Sequence, residues 1–283
     1  MKIFVYGASG LVSGFIVDLL LESGHEVYAG TRNPSAGVKK PNLHWVFADA
    51  LQPNKGLDVL EKVDRAFFLS PPGYTDQYAI LNPWLEKAKL RKLDKVVLMS
   101  AMGVDHAPPE APFRKLEIAF ENSGLPFTIL RPNWFMQNFH TFWISGILKD
   151  KKIYFPGGDA KTSFIDARDI ASSAVSVLLN DSFNGKGITL TGREALTHRE
   201  VADKISSATG LAVSYVDISP EDFKKGLLQA GLSEDYSNFM VYIAGALKEG
   251  YSSPVLTSVK ELTGKEPIRF DQYALDHKAA WLN

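Results

Sequence analysis

Two glycines near the amino terminus have the spacing of a turn that could bind a diphosphate. Gly7 and Gly10 follow an apolar run at residues 3–6, and a helical pattern begins directly after them. Glycines let a phosphate approach the backbone closely, and a helix amino terminus offers unpaired N–H groups and a positive dipole end. A plain strand-to-helix turn needs only one glycine, so the pattern favours a nucleotide site. The third small position holds Ser13 instead of glycine.

The residue after the second predicted strand indicates which nucleotide would bind. An NAD site commonly places a carboxylate there, against the ribose 2′-hydroxyl. This chain has none and carries Arg32, whose guanidinium group could pair with a 2′-phosphate through two parallel hydrogen bonds. We therefore predict NADP(H) over NAD(H). The alternative is a solvated arginine in a turn, and Lys39 and Lys40 would add positive charge if their loop lies nearby.

Two further strand ends contribute candidate cofactor residues. Asp49 follows the third predicted strand, where its carboxylate could accept a hydrogen bond from the adenine amino group or cap the next segment. The fourth strand ends in Leu69, Ser70 and Pro71, which would line the middle of the cofactor. Because two successive prolines lack N–H groups, this loop should be stiff.

Only a parallel sheet would bring these strand ends together. Apolar runs predict strands at residues 2–6, 26–31, 43–48, 64–69, 95–99 and 127–131. Helical patterns alternate with them at about 10–23, 54–62, 75–92 and 111–123. This alternation predicts an α/β fold with a doubly wound parallel sheet, a Rossmann fold. Ligands of such sheets bind at the carboxyl ends of the strands.

Side-chain patterns also predict helix faces and helix ends. In the first helix, Leu11, Phe15, Leu19 and Leu20 lie at helical spacing and would face the sheet, and Gly24 would end the helix. Later helix starts are predicted at three capping motifs, namely Thr197-x-x-Glu200, Ser219-Pro220 and Ser258-x-x-Glu261.

The character of the chain changes after residue 132. Residues 134–149 are rich in aromatic side chains, strands are predicted near 162–165 and 187–191, and the part from 197 onward is mainly helical. We expect an NADP(H)-binding Rossmann core and a smaller, mainly helical substrate-binding lobe, with a cleft between them. The expected core is residues 1–132, completed by strands and a helix within about 160–192, and the expected lobe is residues 133–159 and 193–283.

The composition argues against several classes of function. The chain has 283 residues, no cysteine, and a net charge of −1 from 31 basic and 32 acidic residues without a charged block. Disulfides, thiolate nucleophiles and zinc–thiolate sites are therefore excluded, and neither nucleic acid nor a membrane surface is an expected partner. The histidines lack metal-ligand spacing, so no metal is expected. No leader and no membrane-spanning apolar stretch is evident, which predicts a cytoplasmic protein, a monomer or a homodimer.

Four stretches of the chain together match a known family. They are Gly7–Gly10 with Arg32, residues 123–132 (SGLPFTILRP) followed by Asn138, residues 164–171 (FIDARDIA), and residues 190–192 leading into Leu196-Thr197. On these residues the chain resembles, over nearly its whole length, the NmrA-like branch of the atypical short-chain dehydrogenases/reductases. Within that branch it is similar to the NADPH-dependent quinone and triphenylmethane-dye reductases.

The resemblance implies a Rossmann fold that binds NADP(H), with a small C-terminal lobe over the nicotinamide end. It implies cofactor contacts from Gly7, Ser9, Gly10, Leu11, Val12, Arg32, Ser70 and Pro71. It also implies that Pro132 and Asn133, after the sixth strand, would meet the nicotinamide end.

The chain departs from the short-chain dehydrogenase pattern at the catalytic helix. That helix usually carries a Tyr-x-x-x-Lys pair, in which the tyrosine is the acid/base and the lysine lowers its pKa. Counted back from Glu117, the two positions here hold Pro109 and Phe113, and Lys115 lies about 200° away around the helix. Ser100 matches the usual active-site serine region and could hydrogen-bond to the cofactor or to a substrate.

The missing pair limits the chemistry that the chain could perform. Reduction of a simple ketone needs a proton donor at the forming alkoxide, whereas quinones, iminium ions and cationic dyes accept hydride directly and take any proton from solvent. We therefore predict an NADPH-dependent reductase of a small conjugated or aromatic acceptor. The alternative is a non-catalytic protein that senses NADP(H) and binds a protein partner. A sugar-nucleotide epimerase-like enzyme is disfavoured by the missing tyrosine.

Aromatic residues after the sixth strand are candidates for contact with the acceptor. We favour Trp134 and Phe139, on which a flat substrate could stack, and the alternative is that this segment packs in the core. The candidates for proton donation or substrate orientation are Ser100, Tyr74 and His140. For His140 the alternative is a satisfied or exposed histidine, and for Tyr74 a surface tyrosine.

Overall fold

The computed structural model describes residues 1–282, and contacts within the chain divide it into two units. Unit 1 consists of Met1–Pro132 and Ile170–Thr189, and unit 2 consists of Asn133–Asp169 and the chain from Leu190 onward. The predicted roles of the two parts of the chain, in cofactor and in substrate binding, stay predictions. No helix in the described part of the chain has both the length and the apolar character needed to cross a membrane.

Residues 1–282 form nine strands and eleven α-helices. The strands are β1 (Lys2–Val5), β2 (Glu26–Thr31), β3 (Leu43–Phe47), β4 (Arg65–Leu69), β5 (Lys95–Met99), β6 (Phe127–Pro132), β7 (Lys152–Phe155), β8 (Lys186–Leu190) and β9 (Ser214–Asp217). The helices are α1 (Leu11–Glu22), α2 (Gln77–Arg91), α3 (Pro112–Glu121), α4 (Ile144–Asp150), α5 (Ala167–Leu179), α6 (His198–Thr209), α7 (Pro220–Gln229), α8 (Glu234–Lys248), α9 (Ser258–Thr263), α10 (Phe270–His277) and α11 (Ala279–Leu282).

Unit 1 contains a seven-stranded sheet in the order β3-β2-β1-β4-β5-β6-β8, and the five neighbouring pairs from β3 to β6 are parallel. The predicted doubly wound α/β fold is therefore confirmed. The strand order reverses between β1 and β4, and such a switch point opens a crevice at the carboxyl ends of the two strands. The turn after β1 and the loop after β4 flank this crevice.

The central strands are apolar on consecutive residues because helices cover both faces of the sheet. Ile3, Phe4 and Val5 of β1 are fully buried, as are Val96, Val97 and Leu98 of β5. On one face the ring of Phe4 stacks on that of Trp84 from α2, with centroids 5.0 Å apart. This packing fixes α2 on β1, one of the two strands that flank the crevice.

Three local predictions for the core were wrong. The buried stripe of α1 matches the prediction fully only at Leu20: Val12 and Ile16 are also buried, whereas Leu11 is 42% exposed at the helix start and Phe15 and Leu19 are partly buried. The predicted helix at 54–62 is a 3₁₀ helix at Leu57–Lys62. The predicted strand near 162–165 forms only two isolated bridges, one from Thr162 to Leu196 and one from Phe135 to Ile165.

Unit 2 is mainly helical, as predicted, and adds a two-stranded parallel sheet of β7 and β9. The capping box from Thr197 to Glu200 starts α6, and the Ser219 side chain caps α7, so both helix starts are confirmed. At the third motif the N-cap of α9 is Thr257, and Ser258 is already the first helical residue. The core of unit 2 is dominated by aromatic rings packed around α6.

Candidate functional site

The turn after β1 combines a glycine in the left-handed region with a helix start that has no side-chain cap. Gly7 has a positive φ of 66°, which favours glycine. The N–H of Gly10 donates to the Gly7 carbonyl at 2.8 Å, which closes the turn. Gly10 is the N-cap of α1 and supplies no side-chain cap, so the amino-terminal N–H groups of the helix, including those of Leu11 and Val12, receive no side-chain acceptor. This is the geometry of an anion site.

Ser13 occupies the third small position of the turn, and its side chain does not push the helix away from the strand. Its side chain is fully buried, and its hydroxyl donates to the Tyr6 carbonyl oxygen at 2.8 Å. The hydroxyl is therefore satisfied, and the helix still packs closely on the strand. Ser9, at the top of the turn, lies 3.3 Å from the Thr31 hydroxyl at the end of β2. That contact links the turn to the neighbouring strand.

Arg32 follows β2 directly and has a free side chain. It is exposed, and within residues 1–282 it forms neither a hydrogen bond nor an ion pair. Of its two basic neighbours, Lys40 is bound to Asp18 at 2.7 Å, and Lys39 is exposed. Arg32 is therefore available to bind an anion at the end of β2.

Asp49 forms the contacts of a local cap. Its carboxylate accepts from the Leu51 N–H at 3.1 Å and from the Gln52 side-chain amide at 3.3 Å. These are the contacts of the capping alternative, and the adenine contact stays a prediction. A carboxylate has about four acceptor positions, so these bonds do not exhaust it.

The loop after β4 lies beside the glycine turn. A Cβ on Gly7 would stand 3.5 Å from a methyl carbon of Leu69, so the end of β4 borders the turn directly. Ser70 and Pro71 are half-buried, and the Ser70 hydroxyl makes one long bond, 3.4 Å, to the Pro71 carbonyl. Tyr74 is half-buried and packs against the core of unit 1, in contrast to the surface tyrosine of the alternative.

A buried charge network lies at the carboxyl ends of β5 and β6. The Glu117 side chain is fully buried, and its carboxylate accepts from the Ser100 hydroxyl at 2.5 Å. Arg131 donates to both of its oxygens at 2.9 Å, and Arg114 donates at 2.9 Å. A further guanidinium nitrogen of Arg131 contacts Asp105 at 3.1 Å. The network immobilises Ser100 at the carboxyl end of β5, the strand next to β4.

The two positions that correspond to a Tyr-x-x-x-Lys pair, and the nearby Lys115, lie outside this network. Pro109 is exposed, and Phe113 is half-buried against the core of unit 1. Lys115 places its ammonium group 4.1 Å from the centroid of the Tyr78 ring on α2, which is the distance of a cation–π contact. None of these three residues joins the Ser100 network.

Asn133, in unit 2, has a fully engaged side chain. Its amide group donates to the Ser163 hydroxyl and to the Ser252 carbonyl, both at 2.8 Å, and its oxygen accepts from the Trp134 N–H. The neighbouring Pro132 accepts from the Met102 N–H at 3.0 Å through its carbonyl. The Asn133 side chain therefore fixes the segment after β6, and its predicted contact with the nicotinamide end stays a prediction.

The two preferred aromatic candidates have different environments. Trp134 is partly exposed, and its ring packs against Trp143 and Phe155. Phe139 is fully buried and packs edge-on against Phe164. Phe139 thus offers no surface to a substrate in this structure and follows the core-packing alternative, whereas Trp134 keeps an accessible face.

His140 is a satisfied histidine, as in the alternative interpretation. Its Nδ1 lies 2.7 Å from the Tyr273 hydroxyl, and its ring stacks on that of His277 with centroids 4.4 Å apart. Burial, and next the nearby His277, lower the pKa of His140 to about 4. The ring is therefore neutral near pH 7, which disfavours it as a proton donor.

Sequence reasoning missed His198, which lies inside the aromatic core of unit 2. Its ring stacks between Phe155 and Tyr215, at centroid distances of 4.6 and 5.3 Å. It is fully buried, and neither ring nitrogen has a hydrogen-bond partner in the structure. Burial lowers the pKa of His198 to about 3, against the opposing effect of Asp217. The ring behaves as an apolar packing element.

This environment predicts that acid destabilises the protein through His198. Below pH 6.5 this histidine is protonated in the unfolded chain, but in the folded chain it stays neutral down to about pH 3. The free energy of unfolding therefore decreases as the pH is lowered from 6.5 to 3. Between pH 7.5 and 5.0 the loss from this residue should be about 2 kcal/mol. We expect His198→Phe to remove that part of the pH dependence in urea unfolding. Exposed His106→Gln is the control, and an unchanged pH slope in His198→Phe would contradict the assignment.

Comparison with known proteins places the chain in a family. A sequence model of the NmrA-like family matches residues 1–273. The chain belongs to the NmrA-like family. The resemblance stated on the glycine turn, Arg32 and the stretch at 123–132 is thereby confirmed.

Curated relatives match this NmrA-like chain along nearly their whole lengths. An uncharacterized oxidoreductase, YesF, of Bacillus subtilis is 32% identical and covers 99% of this chain and 96% of its own length. An NAD(P)H azoreductase of Xenophilus azovorans is 30% identical over 99% of both chains. The prestalk A differentiation protein A of Dictyostelium discoideum is 30% identical over 97% of this chain and 91% of its own. The chain thus belongs to a family of oxidoreductases, as the sequence predicts.

Solved structures share the fold at lower identity. The triphenylmethane reductase of a Citrobacter species is 20% identical, with a TM-score of 0.83 over 98% of this chain and all of its own. The Escherichia coli quinone oxidoreductase QOR2, solved with NADPH, is 19% identical, with a TM-score of 0.82 over 97% and 98%. The negative transcriptional regulator NmrA, solved with NADP and with NAD, is 18% identical, with a TM-score of 0.78 over 100% and 99%.

Proposed function

We propose that this chain is an NADPH-dependent reductase that transfers hydride to a small conjugated or aromatic acceptor, such as a quinone, an iminium ion or a cationic dye. The observation that carries the proposal is the glycine turn beside an uncapped helix at the switch point of the sheet. Rossmann sheets bind dinucleotides at this place. Bound NADPH would supply the hydride, and the residues of the chain would bind it, orient it and exclude water.

The residues of the turn fit the diphosphate of such a cofactor. A Cβ on Gly10 would stand only 3.1 Å from the Gly7 carbonyl oxygen, so the turn favours a residue without a side chain here, as a close approach of phosphate to the backbone requires. The N–H groups of Leu11 and Val12 lie at the positive end of the helix dipole. The half-buried end of β4 at Leu69 and Ser70 would line the next part of the dinucleotide.

Arg32 supports NADP(H) over NAD(H). The segment after β2 offers this unpaired cation, and no carboxylate stands there to receive a ribose 2′-hydroxyl. An exposed guanidinium group can bind a 2′-phosphate with a charge-assisted fork, which NADH cannot offer. We assign Arg32 to the 2′-phosphate. NmrA, which shares the fold, was solved with NADP and with NAD, so the preference proposed here rests on Arg32 and not on the fold.

Arg32→Ala should weaken NADPH binding at least about tenfold and leave NADH binding nearly unchanged. The lost interaction is a charge-assisted hydrogen bond to phosphate, which only NADPH forms. Calorimetric titration of both coenzymes measures the two affinities. Arg91→Ala, which removes an exposed arginine from the end of α2, is the control for the change in net charge. Equal weakening of NADPH and NADH would refute the 2′-phosphate contact.

The surroundings of Ser100 support an acceptor that needs no protein proton. The dehydrogenase acid/base positions hold Pro109 and Phe113, and the hydroxyl of Ser100 is directed at Glu117. Hydride transfer to an electrophilic conjugated acceptor can proceed with a proton from solvent. The azoreductase and the dye reductase among the similar proteins are named for acceptors of this kind. We propose Trp134 as the aromatic residue that contacts the acceptor.

A panel assay tests the proposed reaction. Purified protein is mixed with NADPH and, in turn, with quinones, cationic triphenylmethane dyes and simple ketones, and NADPH oxidation is followed by absorbance. We expect turnover with at least one conjugated acceptor and none with the simple ketones. Binding of NADPH without turnover across the whole panel would contradict the enzyme proposal and favour the second candidate function.

The second candidate is a non-catalytic protein that senses NADP(H) and binds a protein partner. Exposed apolar side chains in one segment of unit 2 favour it: Tyr251 is 74% exposed, and Val255 and Leu256 follow at 49% and 39%. NmrA, named as a negative transcriptional regulator, has the same fold. This candidate predicts cofactor binding without hydride transfer, which the panel assay detects.

A further inference from the structure

Glu117 is a buried carboxylate that binds a hydroxyl at the carboxyl end of β5. It accepts hydrogen bonds from Ser100, Arg131 and Arg114, and its side chain is shielded from solvent. We propose that Glu117 is a positioning residue, which fixes the Ser100 hydroxyl as a hydrogen-bond acceptor for the nicotinamide half of the dinucleotide. This inference rests on the proposed binding of NADP(H).

The hydrogen-bond chemistry sets the direction of the Ser100 hydroxyl. A serine has one O–H donor and two acceptor lone pairs, whereas an ionised carboxylate has acceptors only. The Ser100 proton is therefore directed at Glu117, at an oxygen–oxygen distance of 2.5 Å. The lone pairs of Ser100 remain, and a ligand that reaches this oxygen must bring its own donor.

Two arginines keep Glu117 in this role. The guanidinium group of Arg131 binds both carboxylate oxygens, which fixes the plane of the carboxylate, and Arg114 adds a third donor nitrogen. With both oxygens held by arginine donors, Glu117 stays in place as the acceptor of the Ser100 O–H. Ser100 is therefore a binding group and not the proton donor considered from the sequence.

The strand order places Ser100 beside the nicotinamide half. The diphosphate turn follows β1, Arg32 follows β2 on one side, and β4 and β5 lie on the other side. If Arg32 holds the adenosine end, the opposite end extends toward β5. Ser100 follows β5, two strands from the turn, or about 10 Å at ordinary strand spacing. That distance lies within the reach of the nicotinamide riboside.

The nicotinamide half carries two kinds of donor that could reach Ser100. These are the carboxamide N–H and the ribose hydroxyl groups. Because Ser100 is only 5% exposed, the donor that contacts its oxygen must be a single small group. The shared chemistry is a neutral donor, and a comparison of ligands identifies which donor it is.

A binding cycle tests the role of Ser100 without any need for turnover. Calorimetry compares the wild type with Ser100→Ala, using NADP⁺, its 3-acetylpyridine analogue, in which methyl replaces the amide NH₂, and 2′-phospho-ADP-ribose, which lacks nicotinamide. We expect Ser100→Ala to weaken NADP⁺ about tenfold, the size of one hydrogen bond. If the carboxamide is the donor, this loss vanishes with the other two ligands. If the ribose is the donor, the loss persists with all three.

A second set of NADP⁺ affinities tests the positioning role of Glu117. Glu117→Gln can donate an N–H to Ser100 and would let the hydroxyl proton turn outward, so it should weaken NADP⁺ as Ser100→Ala does. The double variant should then be no weaker than either single variant. If the double variant loses the sum of the two single losses in NADP⁺ affinity, the positioning role is overturned. If Glu117→Gln does not fold, Arg114→Gln replaces it in the cycle, because it removes one of the donors that hold the carboxylate. If the wild type binds NADP⁺ and Ser100→Ala binds it equally tightly, only this inference is overturned. If the wild type does not bind NADP⁺, the proposed function is overturned as well.

Discussion

Gly10→Val is expected to weaken NADPH and NADH binding at least about 100-fold while unit 1 stays folded. The backbone at Gly10 is extended, with φ −85° and ψ 169°, so a β-branched residue can adopt it. Its Cβ would stand 3.1 Å from the Gly7 carbonyl oxygen, and its methyl groups would cover the start of α1, where the proposed diphosphate would contact the N–H groups. Loss of two charge-assisted hydrogen bonds accounts for an effect of this size. Calorimetry measures the affinities, and circular dichroism checks the fold.

Gly24→Ala is the matched control for this substitution. Gly24 lies just beyond the other end of α1 and has a positive φ of 78°, with open space where a Cβ would be. Alanine there strains the backbone and should lower the stability of the protein without a change in coenzyme affinity. Affinity of Gly10→Val within about threefold of the wild type would rule out a diphosphate at the turn.

Glu117→Ala is expected to lower the free energy of unfolding by about 3–5 kcal/mol. The substitution leaves the buried guanidinium group of Arg131 with its remaining contact to Asp105 and leaves the Ser100 hydroxyl without its acceptor. Removal of one partner from a buried ion pair has this cost because the other charge stays desolvated. Urea unfolding measures the change.

Glu121→Ala provides the comparison on the same helix. Glu121 also binds Arg114, at 2.7 Å, but its side chain is one-third exposed and water can replace the contact. Its loss should cost less than about 1 kcal/mol. Similar costs for Glu117→Ala and Glu121→Ala would show that the network at the ends of β5 and β6 is not a buried charge pair in solution.

Most of the sheet could be predicted from the sequence because its strands are buried on both faces. Consecutive apolar residues such as Val96, Val97 and Leu98, in a run too short for a buried helix, are typical of such a strand. The face of α1 was harder, since its residues are apolar nearly all round and Leu11 fits the helical spacing as well as Val12 does. The segment at 162–165 failed because single bridges replace a ladder there.

The parts of the site that are formed by residues close in sequence could be predicted, and the parts formed by residues far apart in sequence could not. The glycine turn and Arg32 depend on neighbours in sequence, so their spacing alone points to them. The Ser100 network joins residues 14 and 17 positions apart, and only the packing of α3 against β5 and β6 brings them together. One signal was available: Arg131 lies in an apolar strand, and a buried arginine needs a carboxylate partner.

The aromatic segment after β6 shows the limit of residue type as a guide. Trp134 and Phe139 are equally suited to stack on a flat acceptor, yet one is partly exposed and the other is fully buried. His140 and His198 likewise carry titratable rings that packing makes neutral. Exposure depends on the contacts of unit 2 as a whole, and no spacing in the sequence determines it.

Calorimetric titration of the purified wild-type chain with NADPH tests the central claim most directly. We expect one binding site per chain, with NADPH bound more tightly than NADH. Absence of binding by both reduced coenzymes would contradict it, because no dinucleotide would then occupy the turn at Gly7 and Gly10.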